Sequence, residues 1–428
     1  MQNQGYPSTK IVMITQVFYP DSQATSQLLS ALAQALATPS KQRPTPLHIE
    51  VLSSYPSNAR GEGVTSQRSE QWASVQISRG GFKVDAKKSL FHRALSYASF
   101  LTWLFWNLLF KVKSTDRVLV VTNPPFAPLI VWLATKVKSL FKRPFEYFIL
   151  LHDIYPDGLI ALGSVSKKRG WIKIWMMFNQ IAFNRAHQVI TLGRDMSKHC
   201  HEQYLIPAHK LTVIPNWSPI DFDGVAPLKP HETDLWNALP PHAQTEDSFI
   251  IQYSGNMGLW HNMEGIVEAA NLLSDIPVHF LMIGDGRRKQ SAQEKSETLQ
   301  LTNMTWLPFQ PLDTLTDSLQ CAHMSLVSQR EEVLGIMVPS KFYGILASRR
   351  AILAQVPSQS EVALTIREHD CGVVLDHDDP HLLAEHLRKL YLKRAQVHNM
   401  GRSAGLAYEQ CYSFTKAVNA FRTLLSSP

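Results

Sequence analysis

Residues 248–258 read Ser-Phe-Ile-Ile-Gln-Tyr-Ser-Gly-Asn-Met-Gly, and Leu259 to Leu273 follow with a helical pattern. An apolar run, a glycine turn and then a helix make one βα unit. That arrangement turns free backbone N–H groups toward a phosphate. Gly255 and Gly258 lack the Cβ that would block its approach. The stretch is not Gly-x-Gly-x-x-Gly, so on its own it fits a plain βα turn equally well.

The same alternation runs outward in both directions. Strand candidates before it are 11–18, 47–55, 117–123, 147–153, 188–193 and 211–216. Those after it are 278–284, 304–309, 324–329, 351–356 and 372–376. Near-continuous apolar strands separated by helices indicate parallel sheets covered on both faces. Two such series in 428 residues predict two doubly wound Rossmann-like α/β domains facing a central cleft. The Pro- and acid-rich stretch Pro219 to Pro241 reads as the linker. The expected division is 1–218, 219–405 and a C-terminal helix over 406–428 that packs back toward the first domain.

The composition, 45% hydrophobic and 18% charged, is that of a globular chain. Four scattered cysteines argue against a disulfide scaffold or a zinc ribbon. Met1 to Lys10 is polar and shows no secretory signal, so a reduced, cytoplasmic protein is expected. The net charge of +7 is unevenly placed. Arg79 to Arg185 holds 17 Lys or Arg against 5 Asp or Glu, a net +12, which leaves −5 elsewhere. This region also carries three apolar runs, Leu95–Phe110, Pro124–Thr135 and Trp171–Phe183. The first is flanked by Lys87, Lys88, Arg93, Lys111 and Lys113. At 16 residues it is short of the ~20 a spanning helix needs. Such runs suit either core helices with solvated basic ends or a surface lying on an anionic membrane. No nucleic-acid motif accompanies the charge, so nucleic acid is not an expected partner.

Further strand ends carry chemistry. Gly284-Asp285-Gly286 is a tight turn followed by Arg287 and Arg288. Val338-Pro339-Ser340-Lys341 opens a helix, where a cation is disfavoured unless an anion is near; an exposed surface lysine is the plainer alternative. His152 and Asp153 end another strand and offer polar or acid–base groups.

In this order and spacing, FYPDSQATSQLLSALAQAL, VTNPPFAPL, LLHDIYPD, VIPNW, YSGNMG, MIGDG and VPSKFYGILASRRAIL resemble the nucleotide-sugar glycosyltransferases of family 4. These have the GT-B fold, and the match is nearest to the bacterial exopolysaccharide, O-antigen and colanic-acid branch. The resemblance implies transfer of a sugar from a UDP- or GDP-type donor to a saccharide or lipid-linked acceptor. It implies no metal and no separate cofactor, and retention of anomeric configuration. The enzyme would act at the inner face of a membrane. It places His152 near the donor sugar, and Ser254, Gly255, Asn256 and Gly258 on the diphosphate. Gly284, Asp285 and Gly286 fall near the nucleotide. Trp306 to Phe309, with Leu307 among them, would flank the base, and Ser340 and Lys341 would face the phosphates. Lys341 and His152 are the catalytic candidates.

The chain departs from the family pattern at several places. Gly344 stands where a second glutamate is usual, and Glu331 and Glu332 lack the usual spacing. Leu259, Trp260 and His261 replace the usual cations, and Ser22 to Ser26 replace a Gly-Gly pair. A sugar-nucleotide epimerase of the same fold and a non-catalytic GT-B partner are the alternatives. Asp221-Phe222-Asp223 and Asp376-His377-Asp378 match Asp-x-Asp, a triplet common by chance. His199-Cys200-His201 lies on an expected helix, where i and i+2 diverge, so no metal site is expected there.

Overall fold

The computed structural model describes residues 10–21, 23–39, 46–56, 67–83, 90–220, 222, 226–375 and 378–426. The chain divides into two units. One comprises Met1–Leu192, Met196–Pro215 and Ala417–Pro428, and the other Gly193–Asp195 and Asn216–Lys416.

The first unit is built on strands β1 (Lys10–Ile14), β2 (His48–Ser54), β3 (Ser69–Trp72), β4 (Val75–Gly80), β5 (Arg117–Val121), β6 (Glu146–Leu150), β7 (Gln188–Thr191) and β8 (Leu211–Val213). Their order is β3-β4-β2-β1-β5-β6-β7-β8. Helices α1 (Ala24–Ala37), α2 (Leu90–Lys111), α3 (Ala127–Leu140), α4 (Asp157–Ala161), α5 (Gly170–Arg185) and α6 (Arg194–Tyr204) connect them. Val12, Met13, Ile14, Val118, Leu119 and Val120 are buried, as strands covered on both faces require. The β3–β4 pair departs from the expected all-parallel sheet. It is an antiparallel hairpin with Trp72 opposite Val75, and its polar sequence hid it.

Arg79 explains why that edge holds. It is fully buried, donates to Ser53 Oγ at 3.1 Å and Tyr19 O at 2.7 Å, and pairs with Glu70. One cation thus ties together β2, β3, β4 and the loop after β1. Nearby, Trp103 of α2 lies flat on Gly80, where a Cβ would stand 1.9 Å from the ring. Phe100, Leu104 and Leu108 form the buried stripe of α2 at four-residue spacing.

The second unit holds β9 (Phe249–Ser254), β10 (Val278–Ile283), β11 (Met304–Leu307), β12 (Met324–Ser328), β13 (Ala351–Gln355) and β14 (Gly372–Leu375). All are parallel, in the order β11-β10-β9-β12-β13-β14. Its helices are α7 (Met263–Asn271), α8 (Lys289–Thr298), α9 (Leu315–Gln320), α10 (Lys341–Ala347), α11 (Glu361–His369), α12 (Pro380–Tyr391) and α13 (Arg394–Ala407). Strand alternation divides the core. Phe249, Ile251 and Tyr253 pack with Met263, Ile266, Leu383 and Leu387 in one cluster. Ile250 packs with Leu281, Ile283 and Leu239 in another.

That second cluster corrects the linker reading of Pro219–Pro241. Three short 3-10 turns, Pro230–Glu232, Asp234–Ala238 and Pro241–Ala243, lay Trp236, Leu239 and Ala243 against the sheet. The Asp317 carboxylate accepts from Asp234 N at 3.0 Å and Leu235 N at 3.1 Å. Arg350 donates to Gln320 O at 2.8 Å and also binds Leu228 O. Pro230 and Pro241 start turns rather than mark a tether. Two further boundaries differ. The helix after the glycine loop begins only at Met263, with Asn262 as its cap. The tail is interrupted at Ser413, where α13 and a π-helical turn end and α14 (Phe414–Ser426) begins. Within the first unit, Arg117 donates to Leu425 O at 2.8 Å and Arg422 to Thr38 O at 2.6 Å.

Candidate active site

In the second unit the chain runs β9, β10, β11 outward on one side and β12, β13, β14 on the other. The order therefore reverses between β9 and β12. Ligands of open parallel sheets bind beyond the strand ends at such a reversal. The loop 254–258 leaves β9 there, and Pro339-Ser340-Lys341 follows β12.

Gly255 has φ +141°. A Cβ on it would meet Lys341 Cε at 3.0 Å and Nζ at 3.2 Å. Gly284 has φ +131°, and its Cβ would fall 2.1 Å from Gly255 O. The two loops are laced together: Gly255 N donates to Ile283 O at 2.9 Å, and Met257 N to Asp285 O at 2.8 Å. Ser254 is half-buried in register with Ile283, Asn256 is exposed and Gly258 is buried. Asp285 is exposed and accepts from Gly286 N at 2.8 Å. Ser340 is exposed.

Lys341 is the first residue of α10. Although the residue keeps some surface, its Nζ is buried and finds no hydrogen-bond acceptor among the described residues. It sits 3.6 Å from the centroid of the Tyr253 ring. Burial holds its ammonium well below the usual lysine range. Tyr253 is itself fixed, its hydroxyl donating to Asn256 O at 2.8 Å. His261 lies edge-on to the same ring at 5.8 Å, and its Nδ1 is 2.6 Å from Ser328 O. Burial, reinforced by Lys341, pushes its imidazole down to about 3. Tyr253 and His261 escaped the sequence reading. Their nearness to Lys341 comes from tertiary packing: Tyr253 lies within β9, and His261 closes the turn after Gly258, its N–H donating to Gly258 O at 3.3 Å.

The base-flanking span divides. Leu307 packs into the apolar cluster beside Ile283, whereas Pro308 and Phe309 line a cavity of about 580 Å³ with Gly284, Gly286 and Arg287. Gly344 is buried in α10, so no carboxylate stands there. Glu332 is exposed and pairs with Arg330 at 3.0 Å.

In the first unit the order reverses between β1 and β5, and Tyr19-Pro20 and Asn123-Pro124 follow those strands, each with a cis peptide bond. His152 follows β6. It is half-buried, its N–H donates to Thr122 Oγ1 at 3.2 Å, and the surrounding protein pushes its imidazole down to about 4. Asp157 of the same motif is structural: His199 Nε2 lies 3.0 Å from its Oδ1, and Tyr204 donates to Oδ2. His201 instead bonds Ile206 O, so His199 and His201 diverge. Ser22, Lys87, Lys88, Asp221, Asp223, Asp376 and His377 lie outside the described residues.

A doubly wound sheet in each unit, with interlocked glycine loops and a buried cation at one switch point, places the protein in a known class. That class is the GT-B fold, and similarity to bacterial glycosyltransferases makes the protein a glycosyltransferase. Residues 236–405 match the family model "Glycosyl transferases group 1". The chain is 26% identical over 334 residues to "Probable glycosyltransferase WbjE" of Pseudomonas aeruginosa, covering 76% of this chain and 80% of that one. It is 27% identical over 299 residues to "Putative colanic acid biosynthesis glycosyl transferase WcaI" of Escherichia coli (strain K12), covering 68% and 70%. Among solved structures, Anabaena Alr3699/HepE in complex with UDP-glucose superposes with a TM-score of 0.67 at 13% identity, covering 98% and 100%.

Proposed function

We propose that the protein transfers a hexosyl or related sugar from a UDP- or GDP-type nucleotide sugar to a saccharide, as a metal-independent, retaining enzyme of family 4. The acceptor is a lipid-linked saccharide, and the pathway is cell-surface polysaccharide biosynthesis. Buried Lys341 carries the reading. A cation kept without an acceptor, against glycine-lined backbone at a switch point, fits an anion that arrives with the substrate. As the anomeric C–O bond breaks, negative charge grows on the departing diphosphate. Preorganised N–H groups and a desolvated cation are a strong means of stabilising it. Asn256 and Gly258 supply the former, their N–H groups having no acceptor among the described residues while those of Gly255 and Met257 are bonded to the neighbouring loop, and Lys341 supplies the latter. The cavity beside Phe309 suits a base, and HepE, of like fold, is described with UDP-glucose bound. His152 is assigned to positioning the sugar.

Membrane association is supported by exposed aromatics beside cations in the first unit. Trp106 and Phe110 stack with centroids 5.7 Å apart and are exposed, as are Leu140 and Phe141. Lys138 joins the ends of α2 and α3 by donating to Val112 O at 2.7 Å. None of the described helices is long and apolar enough to cross a membrane.

A thermal-shift panel of UDP, GDP, ADP and their sugars tests the donor assignment. One nucleotide family at 100 times its Kd is expected to stabilise the second unit by about 2.7 kcal/mol. That donor is then expected to label a lipid-linked acceptor. No shift with any nucleotide overturns the proposal.

A further inference from the structure

Beyond the ends of β12 and β13 lies a cavity of about 470 Å³ that the donor assignment does not use. Its size is within the roughly 300–1,000 Å³ of small-ligand sites. A second recess of about 330 Å³ shares Arg330 and Asp378 with it. Three glutamines line the larger cavity, Gln359 exposed and Gln329 and Gln355 buried. Gln355, the last residue of β13, is 1% exposed, and among the described residues neither its amide Oε1 nor its Nε2 has a hydrogen-bond partner. Gln329, just after β12, is 3% exposed. Its Nε2 donates to Met337 O at 3.1 Å, but its Oε1 accepts from no group among the described residues. The two backbones are joined, Gln329 N donating to Gln355 O at 2.9 Å.

Buried amide atoms without partners cost stability, and apolar residues would fill the same wall without that cost. A ligand that only accepts, such as phosphate, leaves both Oε1 atoms unpaired. A nucleobase wants a flat aromatic wall, and Phe309 lines the other cavity. Vicinal hydroxyls both donate and accept at short spacing, which suits two amides beside the Arg330 guanidinium and the carboxylates of Glu331, Glu332 and Asp378.

We propose that this cavity binds a pyranose ring, read by the amides of Gln329 and Gln355 together with Arg330 and Asp378. Reading the ring requires a side-chain rotation that carries the amides from beneath the wall to the ring hydroxyls. The ring belongs either to the donor or to a separate saccharide, and the donor form rests on the proposed nucleotide-sugar reading.

Calorimetry with UDP, UDP-glucose, GDP and GDP-mannose, and saturation-transfer NMR with a panel of free monosaccharides, test it on the full chain. For a donor sugar, the wild type binds one nucleotide sugar at least tenfold tighter than its nucleotide. Gln355→Leu removes that advantage and leaves the nucleotide's affinity unchanged. For a separate saccharide, a free sugar gives a transfer signal that Gln355→Leu and Gln329→Leu abolish. Gln355→Met serves if the leucine variant misfolds. The proposal is overturned if no free sugar signals and the variants keep the wild-type preference for the nucleotide sugar. Failure of every nucleotide to bind sinks the donor reading instead, while the free-sugar arm still decides the cavity.

Discussion

Lys341 was visible in the sequence because a cation opening a helix contradicts the helix dipole. What surrounds it was not visible, because Tyr253 reads as an ordinary strand aromatic and His261 as a loop residue. The burial of its ammonium has a measurable consequence. Its folded pKa lies well below 10.5, so between those values the unfolded chain binds the extra proton and stability rises with pH. Lys341→Met removes this dependence. The variant, without ligand, is expected to melt higher than the wild type at pH 7, by roughly 2–4 °C per kcal/mol gained. The gap is expected to close as the pH approaches 10.5. A wild-type advantage at pH 7 would show a partner for Nζ in the free protein. Gly255 is the second test. At φ +141° and 3.0 Å from Lys341 Cε, Gly255→Ala is expected to cost about 1–3 kcal/mol. Nucleotide affinity should fall at least tenfold, read by melting and calorimetry.

Strands and helices were legible where one period dominated. The β9 run Phe249–Ser254 is so apolar that its existence was plain, and its end was misjudged by only a residue, where Gly255 turns to positive φ. The β3–β4 edge was missed because Ser69–Trp72 is polar and is held by buried Arg79, a tertiary contact that leaves no local pattern. The linker was misread because proline marks both tethers and 3-10 turns. The long apolar runs became helices packed side by side, with α3 between α2 and α5. Their solvent faces keep Trp106, Phe110, Trp171 and Ile174 exposed. Basic residues near an anionic leaflet contribute on the order of 1 kcal/mol each. Pelleting with anionic vesicles is therefore expected, weakening sharply in high salt. The combination Trp106→Ser, Phe110→Ser, Phe141→Ser is expected to reduce it tenfold or more with little change in melting temperature. Equal pelleting of this variant would assign those aromatics to another role.

For the whole molecule, two doubly wound units were legible from alternation alone, since strands buried on both faces have few other homes. The second unit's switch point was legible only in part. The loops after β9 and β10 announce themselves through glycine, but that they interlock over Lys341 follows from strand order. The account depends on this switch point holding the donor diphosphate. The most direct measurement is a crystal structure of the protein with the nucleotide sugar that its melting panel selects. The account predicts the diphosphate against the backbone of Gly255–Gly258, with Lys341 Nζ within hydrogen-bonding distance of a phosphate oxygen. A diphosphate bound elsewhere, with Lys341 still facing only Tyr253, would contradict it.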